Sequence, residues 1–158
     1  MIVEAKDLLQ KILENHPATG LALTVIVRNG ADEKMAISGR KHPFAALITY
    51  PGTFDGTVSG IKAFKTTGGA IVKKFVRGEN KLPVAIRIWA KTEDDADAIV
   101  SAFLPFIPHR WTYKGIEGTV EIVRTEASDF ASKLSGQYVA AVVVEFSCPI
   151  AANTTDLP

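Results

Sequence analysis

Lys81-Leu-Pro-Val-Ala-Ile-Arg-Ile-Trp-Ala-Lys-Thr-Glu-Asp-Asp-Ala-Asp-Ala-Ile-Val-Ser-Ala-Phe-Leu104 decides the fold class of this chain, because its apolar period changes within it. From Val84 to Ala90 the alternation has period two, with Val84, Ile86 and Ile88 on one face and Arg87 and Trp89 on the other, as in a strand. From Thr92 onward Ala96, Ile99, Val100, Phe103 and Leu104 recur at helical spacing, leaving Asp94, Asp97 and Ser101 on other faces. Thr92 is placed to cap the helix, and Asp95 three residues on is a near match to a capping box, which calls for Glu or Gln there. Pro105 and Pro108 stop the helix. The chain therefore holds a strand that turns into a helix with almost no spacer.

Upstream, Ala5, Leu8, Leu9, Ile12 and Leu13 predict an amphipathic helix from about Val3 to Asn15, ended by His16-Pro17. Leu21 to Arg28 alternates as a strand and Asn29-Gly30 closes it. Between Ala31 and Gly56 the pattern weakens; Met35 to Ile37 and Ala45 to Tyr50 read as short strands broken by Gly39, Pro43, Pro51 and Gly52. Val58 to Phe64 and Ala70 to Val76 form a candidate hairpin through Thr66-Thr-Gly-Gly69, and Gly78 to Lys81 reads as the link from it to the next strand.

Downstream, Thr119 to Arg124 alternates, and Tyr138 to Phe146 is apolar on both faces, as in a strand near a sheet centre. The expected architecture is α+β, a mixed, largely antiparallel sheet with two helices packed on one face. Residues 1-150 are expected to form a single domain, and 151-158 a flexible C-terminal tail.

At 158 residues the chain is long enough to bury roughly two thirds of its unfolded surface in one core. Its hydrophobic and charged fractions, 47% and 22%, fit a globular protein rather than a disordered one. The apolar runs are too short for a bilayer span, and the acidic residues near Met1 stand where a secretion signal would be basic, so neither membrane nor export is expected. A lone Cys148 excludes an internal disulfide and the thiolate zinc patterns. A net charge of +1 restricts any nucleic-acid contact to a local patch.

No nucleophile elbow, phosphate-binding loop or metal-ligand spacing occurs in the chain, so no catalytic residue, metal or cofactor is assigned. His16, His42 and His109 sit beside prolines or in turns without a matching carboxylate. Glu93, Asp94, Asp95 and Asp97 occupy a first helical turn, where acids complement the helix dipole; a metal-dependent enzyme would have to use them. Lys62, Lys65, Lys73, Lys74 and Arg77 concentrate on the predicted hairpin. They read either as a solvated edge that deters aggregation or as a basic surface for an acidic partner or passing DNA. Arg110, Trp111 and Tyr113 in His109-Arg-Trp-Thr-Tyr-Lys114 read either as an oligomer interface or as a loop folded back over the core.

The N-terminal amphipathic helix, Tyr50-Pro51 after a short apolar segment, Leu82-Pro-Val-Ala-Ile-Arg-Ile-Trp-Ala-Lys-Thr-Glu-Asp-Asp-Ala-Asp and Phe103-Leu-Pro-Phe-Ile107 together resemble the bacteriophage tail terminator family, also called minor tail or tail completion proteins, of long-tailed phages. The resemblance spans most of the chain and carries over no specific functional residue. It implies a structural protein without chemistry: a homo-oligomeric ring, typically a hexamer, that caps the tail tube and joins tail to head. Its partners would be tail tube and head-completion proteins, with non-specific contact to passing DNA, and its location the virion tail after assembly in the bacterial cytoplasm, including from a prophage. The irregular segment from Ala31 to Gly56 and the C-terminal tail depart from the family pattern. The alternative reading is a ferredoxin-like module that binds a small ligand or peptide through its sheet or the Trp111 loop.

Overall fold

The computed structural model describes residues 1–14, 24–28, 43–66, 68–128 and 138–153. Its elements are α1 (Ile2–Glu14), β1 (Thr24–Arg28), β2 (Phe44–Thr49), β3 (Thr53–Asp55), β4 (Gly60–Lys65), β5 (Ile71–Ala90), α2 (Glu93–Phe103), β6 (Arg110–Tyr113), β7 (Ile116–Ser128) and β8 (Tyr138–Asn153). The fold is α+β. Among the described residues eight strands join one sheet with the path β1-β2-β5-β8-β7-β6, in which β1 and β2 are parallel and the other pairings are antiparallel. The readings at His16, Leu21 to Leu23, Asn29-Gly30, Met35 to Ile37 and His42 lie outside the described residues.

Two long strands organise the sheet. β5 extends over 20 residues, about 60 Å at the usual rise, and β8 pairs with nearly its whole length. On the other side of β5, β2, β3 and β4 lie end to end, opposite Val84 to Trp89, Glu79 to Lys81 and Ile71 to Val76 respectively. Between β2 and β3 the ladder is interrupted near Pro51 and Pro83, neither of which has an N–H; the Tyr50 amide donates to the Pro83 carbonyl at 3.0 Å.

The sequence reading placed two strands, Ala70 to Val76 and Val84 to Ala90, where the structure has one. Gly78-Glu-Asn-Lys81 is not a link but strand interior, and the ladder slips by one residue between Val76 and Gly78. The close approach of β3 requires glycine at position 78. A Cβ at Gly78 would lie 2.6 Å from the Phe54 ring and from the Asp55 carbonyl oxygen, so the aromatic ring of β3 rests directly on the bare backbone. β8 likewise runs to Asn153, three residues into the segment expected to be tail, because Ala151, Ala152 and Asn153 pair with Val76, Phe75 and Lys74. An alanine-rich end has too little side-chain contrast for alternation to be visible.

The helices cover the upper half of this ribbon. Ala5, Leu9 and Leu13 of α1 and Ala96, Ile99, Val100 and Phe103 of α2 are buried in one cluster with Leu47, Ile86 and Val142 of the sheet. The α1 stripe differs from expectation at one place: Lys6 is buried along with the apolar residues, which pushes its ammonium below the ordinary lysine value. On the opposite side of the sheet Phe44 stacks on Trp89 at 6.0 Å, and Ile48, Ala85 and Val143 form a second, smaller cluster. β5 and β8 are therefore buried on both faces where they cross the centre.

Candidate functional site

The aromatic stretch after α2 is a hairpin rather than a loop. β6 pairs with the start of β7, and the connecting Lys114 and Gly115 both have positive φ, 48° and 75°, the combination of a type I′ turn. A glycine between two short alternating runs was the available signal for it. Trp111 points into the core: it is 6% exposed, meets Phe146 edge-on at 4.9 Å, and its indole N–H donates to the Ser147 carbonyl at 3.0 Å. Gly118 makes room for that bond, since a Cβ there would lie 2.7 Å from the indole nitrogen. Arg110 stands in solvent, ion-paired to Glu117 at 2.7 Å, and Tyr113 is half-buried against Trp111. Of the three residues, Arg110 and the outer side of Tyr113 offer surface.

Below the bulge the ribbon of β4, β5 and the end of β8 continues as an arm. The Thr66 amide donates to Ala70 and the Gly69 amide to Thr66, closing the β4-β5 hairpin, with φ of +85° at Gly69. Register separates the basic residues that the sequence groups together. β8 alternates without a break, so Phe146, Cys148, Ile150 and Ala152 share the side of the large core cluster; through their pairing, Phe75, Lys73 and Ile71 of β5 and Ile61, Ala63 and Lys65 of β4 fall on that same side. Lys62 and Lys74 fall on the other side, directly opposite one another. Arg77 sits at the bulge.

Like charges paired across two strands cost stability, and among the described residues none of these five cations has a salt-bridge partner. Between the lysines stand exposed apolar side chains, Ile61 at 65% and Ile71 at 74%.

Where the arm joins the body, Met1, Ile2, Phe54 and Leu82 line an open groove of about 330 Å³, together with Gly52, Thr53, Asn80 and Lys81. Ile2 and Phe54 are themselves about half exposed. On the other face of β3 and β5 from Phe54 and Leu82, Lys81 lies 3.5 Å from Asp55 and 3.6 Å from Glu79, one ammonium between two carboxylates. Partial desolvation works against the Lys81 charge, but Asp55 and Glu79 outweigh it and hold the lysine above its usual range. The Asp55 carboxyl is held below the usual carboxylate range, first by the Thr57 hydroxyl at 2.6 Å, then by the Thr57 amide at 2.9 Å, with Lys81 adding to both.

A second cleft of about 370 Å³ lies between Ile107-Pro108-His109 and Val120-Glu121-Ile122. Glu93, Asp94, Asp95 and Asp97 are exposed in the first turn or so of α2, and the Asp95 amide donates to the Thr92 hydroxyl at 3.2 Å, so the cap is in place. Cys148 is buried, which pushes its thiol up, away from reactivity. Among the described residues no group of three or more His, Cys, Asp or Glu side chains gathers as a metal site, and no helix is long and apolar enough to cross a membrane. No protein-family model matches the chain, and no curated protein matches it.

The sequence named the cations and missed the groove. Met1, Ile2, Phe54 and Leu82 come from three separate elements, and only the pairing of β3 with β5 brings Phe54 to Leu82 and Asn80.

Proposed function

We propose that this chain is a structural subunit that assembles with copies of itself into a ring at the head-tail junction of a long-tailed phage, in the manner of a tail terminator, and performs no chemistry. The observation that carries this reading is the arm: a β-ribbon continuing past the helices, with Ile61 and Ile71 turned to solvent between lysines that have no salt bridge among the described residues. Such a surface gains by being covered, and a ring subunit offers two different patches to two neighbours. Lys62 and Lys74, on the opposite side of the arm, are the cations open to a head-completion or tail tube protein, or to the phosphates of DNA passing through the ring.

A second reading rests on the groove, whose volume of about 330 Å³ would hold a short apolar peptide segment and make the chain a monomeric binding module. The two readings part in the mass of the chain in solution. Light scattering across a concentration series, alone and with tail tube protein, should show a species several times the 17.0 kDa of one copy; a monomer throughout would remove the ring reading.

A further inference from the structure

We infer that the side of the ribbon turned away from the helices pairs with the same side of a second copy about a two-fold axis, the Lys62-Lys74 end of each chain lying over the Glu121-Glu145 end of the other. This contact goes beyond the ring reading and does not need it, since the ring reading rests on the arm's other side. Register supplies the first observation. In β8, Glu145 and Ser147 alternate with the core residues Val144, Phe146 and Cys148, so they face away from the helices. Glu121 opposite Glu145 faces the same way, as do Lys81 and Glu79 on β5 and Asp55 opposite Glu79. Lys62 and Lys74 share that side of the arm. One face therefore has a basic end and an acidic end.

Both ends are unfavourable in the isolated chain. Lys62 stands directly opposite Lys74 and Glu121 directly opposite Glu145, two cross-strand pairs of like charge. None of these four has a salt bridge among the described residues. Lys81 does not cancel the acidic end: Asp55, Glu79 and Glu145 all hold its charge, which leaves four carboxylates around one ammonium. Arg124, the next paired residue along β7, has a contact of its own. Lys62 and Glu121 are exposed and the other charged groups of the two ends are half-buried, so a neighbour can reach them.

The spacing suits a two-fold contact. On β5 the row of Lys74 and the row of Pro83, where Glu145 and Glu121 stand, lie about 30 Å apart at the rise of an extended chain. An axis midway between them, near Gly78, brings each basic end onto an acidic end, and both contacts form together. The face is about four strands wide, so each copy contributes on the order of 600 Å², the low end for a specific interface. The pairing is weak and salt-dependent.

A second copy suits this face better than nucleic acid. A duplex crossing the arm meets two lysines here, and one laid along the ribbon runs onto the carboxylates. A head-completion or tail tube protein that takes Lys62 and Lys74 would displace the second copy.

The test uses two variants of the full chain, Lys62→Glu with Lys74→Glu and Glu121→Lys with Glu145→Lys. Each keeps its opposed pair alike in charge, and far-UV circular dichroism and melting would verify the fold. Sedimentation should show the unaltered chain pairing at low salt and the pairing lost near 1 M, where the screening length falls to about 3 Å. Either variant alone should pair at least about tenfold more weakly. An equal mixture should restore a 1:1 pair, because both ends of one partner are then acidic and both ends of the other basic. Where the chain forms rings, pairing doubles the ring's mass, and the lysine variant returns it to that of a single ring. Variants that pair as well as the unaltered chain, or a mixture that does not pair, overturn the inference. A ring that never doubles overturns the inference and leaves the ring reading; a pair without a ring does the reverse. If duplex DNA binds through Lys62 and Lys74 and the free chain does not pair, the face belongs to nucleic acid and the inference falls.

Discussion

Two glycines hold aromatic rings in place, one ring buried and one exposed. At Gly118 the missing side chain lets the Trp111 indole reach the Ser147 carbonyl from inside the core. A methyl there would lie only 2.7 Å from the indole nitrogen and would also collide with the Ser147 carbonyl oxygen, so Gly118→Ala should destabilise the chain by about 3 kcal/mol, the upper part of the overpacking range. Urea denaturation followed by tryptophan fluorescence would measure it. At Gly78 the same absence lets Phe54 lie across β5 while 56% of that residue remains exposed. Gly78→Ala, whose Cβ would meet the Asp55 carbonyl oxygen as well as that exposed ring, should destabilise the chain too and displace Phe54, as the same unfolding measurement would show. Asp55, beside it, titrates in a defined direction. Its pKa is lowered in the folded state, chiefly by Thr57, so its contribution is present above the ordinary aspartate value and lost as pH falls through the depressed folded value. Below about pH 4 the Asp55–Lys81 contact should therefore loosen, and Asp55→Asn should flatten the acid limb of the stability profile in that window.

At the scale of elements, what the sequence made legible depended on whether the signal was local. Strand and helix around Ala90 were readable because period, cap and proline stop all lie within one short stretch, and Thr92 does cap at Asp95. Thr92→Ala should accordingly cost about 1 kcal/mol by thermal or urea unfolding. Alanine at Asp94 or Asp97, which stand in solvent, should cost less. The continuous β5 was not readable, because Gly78-Glu-Asn-Lys81 has the composition of a turn and becomes strand only through Phe54 and β8 on its two flanks. The Lys114-Gly115 hairpin had a local signal, a glycine between short alternating runs, that the aromatic and basic character of the stretch concealed. Cations on Lys62 to Arg77 were visible as a group; their division between two sides was not, since it depends on the register of β4 with β5 and on the β8 alternation that passes beside the bulge.

For the whole molecule that division separates stability from the proposed assembly. Lys62 and Lys74 face each other across the ladder on the side away from the helix-covered core, so the isolated chain carries a repulsion it would be more stable without. Lys74→Glu turns that pair into an attraction and should stabilise the monomer by about 0.5 kcal/mol, within the range for cross-strand charge pairs. Lys73 stands opposite Ala63, on the side that carries Ile61 and Ile71, and its reversal relieves no directly opposed charge. On the proposed ring reading, Lys73→Glu should leave unfolding nearly unchanged and weaken self-assembly, with a loss that shrinks as added salt screens its charge. Melting temperature and oligomer mass measured side by side for the two variants at low and high salt give the discriminating result. If Lys74→Glu rather than Lys73→Glu abolishes assembly, the subunits meet through the other side of the arm, and Ile61 and Ile71 are exposed for a different partner.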